Sequence, residues 1–527
     1  MKKKATIRTL AWVLASIVLI TIIATGVYFF FFHSAVKADG PGADFLKGNK
    51  KPPAFTDEQG LKAVDEDMNT VWQVPENDAY TQITFEQPTS INTIQIKENG
   101  SWVRKYHLEA WNGKNWVNIY ENDLIEGDYQ AVIDDIKTSA IRMYIDDGKG
   151  AKIAQFSASY LSPVEYDRPF INMSYITTNQ YYHEWFPEWD AQMTEKTFSS
   201  LTDLCLLGSF RINAKGEFVI TAENYGIDNS IKAVYPALSD QADILMNGND
   251  LSELGDITGQ GYQLPENKKG ALPFLRSKLG SASPKLWFSL TVLSDPAFGG
   301  ISAENLTAFQ NQNVIDQFAQ TVVDFAKKYG FSGVDIDWEY PAGEEAWNSY
   351  TNLINCLSEK LHAEGLLFSS AQTITMMNLS AETLNKFDRI HLMSYDQAGR
   401  TTTKHHSNYQ VSTVQEIQYY LDLGVSPEKL VVGLAYYSSP QQTGWSTIFE
   451  QMQEYIEPDQ KISLGINSFQ KYTFNNVNLI QDRTLYAITQ KIGGVFSWHI
   501  SCDMPWDHYA SLAHAQDKTI QRFVKQP

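Results

Sequence analysis

Two periodicities divide the chain. From residue 55 to about 160, short runs alternate apolar with polar side chains, the period-two pattern of half-buried strands. Runs 80–85, 91–96 and 141–145 all follow it. Asn112-Gly113 stands between runs 106–111 and 115–120, a pair suited to the left-handed backbone of a tight hairpin. Several short strands without a long helical pattern predict an all-β sandwich. Beyond Ser162-Pro163 the pattern changes. Apolar runs at 170–175, 204–210, 286–292, 333–339, 367–371, 390–395, 430–435 and 494–500 read as strands covered on both faces. Stretches 314–329, 344–363 and 413–423 repeat apolar residues at helical spacing. Eight strand–helix units over residues 168–527 predict an α/β fold, a (β/α)8 TIM barrel.

The start of the chain carries a different signal. Lys2, Lys3, Lys4 and Arg8 precede an uncharged stretch, residues 10–32. As a helix it spans ~35 Å, more than the ~30 Å of a hydrocarbon core. Cleaved leaders have shorter apolar regions of about 7–15 residues, and the aromatic cluster at 28–32 suits a membrane interface. The expectation is an uncleaved transmembrane signal-anchor in the cell membrane, single-pass, with the N-terminus cytoplasmic and the rest extracellular. Val36-Lys37-Ala38 also has the small-residue spacing of a cleavage site, so release after Ala38 is the alternative. The predicted organisation is a cytoplasmic stub and anchor over 1–38, a Gly-, Lys- and Pro-rich linker over 39–54, a sandwich over 55–160 and a barrel over 161–527.

Composition narrows the partners. A formal charge of −19 argues against nucleic acid, whose phosphates need clustered Lys and Arg. Thirteen Trp and 27 Tyr supply either large cores or flat surfaces on which the apolar face of a sugar stacks. Cys205, Cys356 and Cys502 are too few and too separated for a disulfide framework, lack a Cys/His neighbourhood, and read as small buried hydrophobes. Asp65, Asp67 and Asn69 read as a solvated acidic turn, and no metal is expected.

The chemistry concentrates in one strand. Asp335, Asp337 and Glu339 are spaced by two, so all three point to one side. On a barrel strand that side is the interior, and the C-terminal end is where sites form. Converging carboxylates repel one another, which raises the pKa of at least one and retains a proton near neutral pH. A protonated acid beside an ionised partner is what glycosidic cleavage requires. The competing reading is a cluster that binds a cation or pairs with a base; no Lys or Arg lies nearby in sequence.

The run Phe331-Ser332-Gly333-Val334-Asp335-Ile336-Asp337-Trp338-Glu339-Tyr340-Pro341 resembles the active-site strand of glycoside hydrolase family 18, the chitinases and endo-β-N-acetylglucosaminidases. Lys285-Leu286-Trp287-Phe288-Ser289, Met393-Ser394-Tyr395-Asp396, Leu430-Val431-Val432-Gly433-Leu434 and Gly493-Gly494-Val495-Phe496-Ser497-Trp498 resemble its third, sixth, seventh and eighth strands in the right order. The resemblance implies that Glu339 is the general acid and later the base. It implies that the substrate's 2-acetamido oxygen is the nucleophile, that Asp337 holds the acetamido N–H, and that Asp335 shares a proton with Asp337. Tyr395 then bonds the acetamido oxygen, Asp396 contacts the sugar and Trp498 stacks beneath it, with Ser289 and Met393 at further substrate-binding positions. No cofactor is implied. The expected activity is retaining hydrolysis of β-1,4-linked N-acetylglucosamine in an extracellular chitin-like polymer, N-glycan core or peptidoglycan. The alternatives are a non-catalytic glycan-binding protein on the same barrel and a surface adhesin. Residues 65–72, 83–85, 104–116 and 141–143 resemble the discoidin-like, galactose-binding-domain fold, which implies a possible carbohydrate-binding module.

Departures from the family pattern carry expectations too. Ser332 replaces an acidic residue, which implies altered tuning. Thr291-Val292 replaces two glycines, which implies a narrower site. About 55 residues between Tyr437 and Gly493 leave little room for a cleft-deepening insertion. Tyr181, Tyr182, Trp185, Phe186 and Trp189 suggest a substrate rim or a hydrophobic plug, and His405-His406 a solvated loop.

Overall fold

The computed structural model describes residues 41–177, 194–207, 210–220, 244–245, 275–276, 278–292, 306–374, 378–396, 408–439, 442–457 and 460–527. Eight parallel strands close on one another: Ile171–Thr177, Asp203–Leu207, Lys285–Val292, Gly333–Asp337, Leu367–Gln372, Arg389–Leu392, Leu430–Ala435 and Gly494–Trp498. The eighth pairs with the first and the third with the second, which seals the ring. Each strand coincides with one of the eight apolar runs.

The alternation along each strand separates two apolar populations. In the fourth strand, Val334 and Ile336 face outward into the layer shared with the surrounding helices. Gly333, Asp335 and Asp337 face inward. At Gly333 any side chain is excluded, because a Cβ would lie 2.4 Å from the Trp287 ring. Helix Gln312–Tyr329 supplies part of the outer layer through Ile315, Phe318, Val322 and Phe325. Asn311 caps its first turn, and Gly330 ends it at φ 69, where L side chains are strained.

The N-terminal unit is one continuous antiparallel sheet in the order Trp72–Gln73, Lys152–Ser159, Ala79–Glu98, Asp128–Asp147, Lys105–Trp111, Trp116–Asn122. The expected sandwich forms from this one sheet: two 20-residue strands run through the whole unit, with register shifts at Thr84/Thr89 and Ile91/Thr93 that bend the sheet around its core. Trp72, Ile94, Tyr106, Leu108, Met143 and Phe156 fill that core. The predicted hairpin turns at Asn112-Gly113: Gly113 has φ 86, and the Asn112 side chain accepts from the N–H groups of Lys114 and Asn115.

The stretch expected to be a linker behaves differently. Lys47 N–H donates to Asn112 O, Trp111 Nε1 donates to Lys50 O, and Gln82 Nε2 donates to Pro53 O. From Lys47 to Pro53 the chain is therefore strapped along the sandwich. Residues 10–32, the expected anchor, lie outside the described residues, among which no helix is long and apolar enough to cross a membrane.

Sandwich and barrel meet over a polar seam. Asp482, on helix Val477–Thr489 of the barrel, is completely buried and accepts from the Tyr120 and Tyr129 hydroxyls, each at 2.6 Å, and from Val132 N–H at 2.7 Å. Asn478 Nδ2 donates to Glu121 O at 2.9 Å, and Arg522 Nη1 to Ile133 O at 2.7 Å.

Candidate active site

Parallel pairing fixes the levels of the barrel interior. Ser289 lies beside Asp335, Thr291 beside Asp337, and Asp335 beside Ser369. Along the fourth strand and just past its end, the carboxylates become more accessible toward the mouth. Asp335 is fully buried, Asp337 half-buried and Glu339 open to a cavity of about 460 Å³.

Asp335 is surrounded by donors. The Tyr175 and Ser289 hydroxyls reach Oδ2 at 3.0 and 2.7 Å, and the Ser369 hydroxyl reaches Oδ1 at 2.6 Å. His391 Nδ1 lies 3.2 Å from Oδ1. Burial pushes the Asp335 pKa up, but the bond and charge of His391 and the two serine hydroxyls outweigh it, so the group is held below the usual carboxylate range. Asp337 goes the other way. Burial, then the charges of Glu339 and Asp335, raise it well above that range, with Arg211 opposing. Its Oδ1 is buried without a hydrogen-bond partner among the described residues, which fits a neutral carboxyl. Asp337 and Glu339 are hydrogen-bonded to each other. Glu339 is also raised, chiefly by the protein walls around it. An ionised acid at the base and a proton-bearing pair at the cavity follow.

The remaining expected residues gather around that pair. Met393, Tyr395, Asp396 and Trp498 line the cavity with Tyr175, Tyr340, Ala371, Thr373, Tyr437, Gln442 and Phe496. The Trp498 ring meets Tyr175 edge-on at 5.4 Å. Asp396 accepts from the Tyr437 hydroxyl and, at 3.4 Å, from Gln442 Nε2. Ser289 is the exception among the expected substrate contacts. It is fully buried behind the cavity and spends its hydroxyl on Asp335, because its register level is that of the deepest carboxylate.

The departures from the family pattern fall away from the cavity. The Thr291 hydroxyl is bonded by Arg211, Val292 is buried, and neither lines the space, so the narrowing expected of them is not found. Ser332 sits at the opposite end of the fourth strand, paired through its backbone with Leu286 and Leu367. Between Tyr437 and Gly493 the chain forms helix Trp445–Gln453, a ribbon of Ser468–Phe469 with Tyr472–Thr473, and helix Val477–Thr489. The aromatic cluster at 181–189 and His405-His406 lie outside the described residues.

Sequence reasoning missed Tyr175, Ser369 and His391 as partners of Asp335. Each is inward by strand alternation, a readable direction without a readable role. It also missed a Cys/His contact: Cys502 Sγ lies 3.5 Å from His499 Nε2. Burial pushes that thiol up to about 12 and the imidazole down to about 4, so both are neutral. Asp65 and Asp67 cap their own turn, accepting from the Asp67 and Asn69 N–H groups. Among the described residues no group of three or more His, Cys, Asp or Glu is arranged to hold a metal.

Comparison with known proteins follows the same division. Residues 296–503 match the family model of Glycosyl hydrolases family 18, and residues 52–157 match that of the F5/8 type C domain. The chain is 22% identical over 259 residues to Probable chitinase 2 of Drosophila melanogaster, covering 38% of this chain and 54% of that protein. It is 34% identical over 151 residues to Chitinase 1 of Aphanocladium album, covering 24% and 36%. These matches span about half of each relative's length or less. The crystal structure of a GH18 chitinase from Flavobacterium johnsoniae aligns with a TM-score of 0.46 at 17% identity, over 68% of this chain and 97% of that one. Residues 296–503 of the barrel are thus similar to glycosyl hydrolases family 18, and residues 52–157 of the N-terminal unit to the F5/8 type C domain.

Proposed function

We propose that the barrel is a retaining glycoside hydrolase acting on β-1,4-linked N-acetylglucosamine in an extracellular glycan, with the substrate's acetamido group as nucleophile. The observation that carries this reading is the hydrogen-bonded Asp337–Glu339 pair, raised in pKa, at a cavity above an ionised Asp335. The family 18 match and the relatives named as chitinases support the substrate class.

In this mechanism a sugar rests on Trp498 with its scissile oxygen toward Glu339. Glu339 gives its proton to that oxygen as the acetamido oxygen attacks the anomeric carbon. Asp337 accepts the acetamido N–H, and negative charge on the Asp335–Asp337 pair offsets the oxazolinium cation. The Tyr395 hydroxyl orients the acetamido oxygen. Glu339 then takes a proton from water as the water oxygen attacks the anomeric carbon from the leaving group's face and the bond to the acetamido oxygen breaks, so configuration is retained. Chitin-like polymers, N-glycan cores and peptidoglycan all present this sugar.

NMR of products released from chitin oligomers, N-glycopeptides and wall fragments tests the reading. The β-anomer forms first, and oligomers stripped of acetyl groups resist. Rapid cleavage of those stripped oligomers, or an α-anomer formed first, contradicts it. The apolar N-terminal stretch and its lysines further support attachment to the cell membrane with the barrel outside. Membrane fractionation with protease treatment of intact cells checks this: a protected barrel, or one wholly free in the medium, refutes it.

A further inference from the structure

His391 has no part in the scheme above. It stands at the middle of the sixth strand, is completely buried, and makes a triangle with two other residues. Its Nδ1 is 2.7 Å from the Tyr175 hydroxyl and 3.2 Å from Asp335 Oδ1, and that hydroxyl is 3.0 Å from Asp335 Oδ2. Trp287 and Phe496 wall the imidazole, with ring centroids at 6.5 and 5.4 Å.

Counting hydrogens assigns the direction of these bonds. Tyr175 has one hydroxyl proton. If it goes to Asp335, the phenolic oxygen is free to accept from His391 Nδ1–H, and every contact in the triangle is favourable. If it goes to His391 instead, a nitrogen lone pair faces the Asp335 oxygen. Nε2–H is then a buried donor, and Nε2 has no partner among the described residues. Stranding a donor in apolar surroundings is the costlier arrangement. His391 therefore donates through Nδ1.

Other ionisable groups act on the cluster. Cys205 on the second strand, Asp337 on the fourth and Tyr395 after the sixth all bear on Tyr175. Arg389, two residues below His391, is paired with Asp203 at 3.0 Å, which also accepts from Trp287 Nε1. Among the described residues, the base that reaches Asp335 is His391.

We propose that His391 is a positioning residue for the hydrolysis: its Nδ1–H, given to the Tyr175 oxygen beside Asp335, frees the Tyr175 hydroxyl proton for that carboxylate and so holds Asp335 ionised, and that fixed charge keeps the mobile proton of the carboxylate run on the Asp337–Glu339 pair. The proposal rests on the hydrolase reading. The lowered pKa of Asp335, in which His391 is the leading opposing influence, agrees with it.

The test compares wild type, His391→Phe and His391→Asn on a fluorogenic N-acetylglucosamine oligomer across pH. His391→Phe removes the donor. It loses about tenfold in kcat with KM within about twofold, and the acidic limb of the profile moves up by about one pH unit. His391→Asn returns an amide N–H to the Nδ1 position and recovers both kcat and the limb. A His391→Phe profile that matches wild type overturns the proposal. So does an Asn variant as impaired as Phe with an unmoved limb, since a filler of space behaves that way. Carbon-13 titration of labelled aspartate carboxyls needs no turnover. His391→Phe raises the Asp335 transition, and an unchanged transition overturns the proposal. Should wild type cleave no such oligomer, the hydrolase reading fails while the titration still decides the role of His391.

Discussion

Asp335 at the centre of the barrel and Asp482 at the seam with the sandwich are both completely buried, and both are ringed by hydroxyl and N–H donors. Their pKa values move in opposite directions. Asp335 is held below the usual carboxylate range, whereas burial pushes Asp482 up to about 7 despite the Tyr120, Tyr129 and Val132 donors. The difference is the basic partner. Hydroxyl groups return part of the hydration a buried carboxylate loses, and Asp335 has the His391 imidazole 3.2 Å away in addition. One site is built to keep a charge in the barrel, and the other to join two domains through an acid that gives up its charge near neutrality.

The strongest way to break this comparison is in the barrel. Asp337→Asn removes the group that carries the proton beside Glu339, and kcat on N-acetylglucosamine oligomers falls by about 10²–10³-fold. Its melting temperature does not drop, because the raised carboxyl it removes contributes nothing to folding as an anion. At the seam the pattern reverses. Asp482→Ala strands two tyrosine hydroxyls and a backbone N–H and costs on the order of 3 kcal/mol by chemical denaturation, with kcat near wild type.

A milder seam change sharpens the contrast through pH. The folded pKa of Asp482, about 7, lies above the ordinary 3.8, so the folded chain holds a proton that the unfolded chain has released. Its contribution to stability is complete below about pH 4 and is lost as pH rises to about 7. The stability difference between wild type and Asp482→Asn therefore shrinks over that window, by a few kcal/mol at most. A difference that grows with pH contradicts the assignment. The smallest effect belongs to Tyr437→Phe, which removes one donor from Asp396 at the cavity. It lowers kcat/KM by about two- to fivefold and leaves the pH profile in place.

How much of this was readable in the chain depends on how each residue is buried. Barrel strands covered on both faces must be apolar for most of their length, so all eight appear as runs. Asp335, Asp337 and Glu339 stood out because three carboxylates in such a run have no packing explanation. Tyr175 and His391 obey the same alternation, but a Tyr or His inside a strand is unremarkable by composition. Tyr437 and Gln442 reach Asp396 by the path of the chain after the seventh strand, which no periodicity encodes. The strap from Lys47 to Pro53 looked like a linker because Gly, Lys and Pro dominate it, yet its carbonyls at Lys50 and Pro53 are what Trp111 and Gln82 hold. Tyr120 and Asp482 stand 362 residues apart, and neither has a local pattern that names the other.

The carboxylate run that ends the fourth strand is proposed to perform acid catalysis on an acetamido sugar. Turnover of N-acetylglucosamine oligomers by wild type and Glu339→Gln tests it most directly, with folding of both followed by thermal melting. Wild type is expected to hydrolyse these oligomers and the variant to lose at least about 10²-fold, at an unchanged melting temperature. Full activity in Glu339→Gln, or no hydrolysis by folded wild type of any N-acetylglucosamine oligomer, glycopeptide or wall fragment, contradicts it.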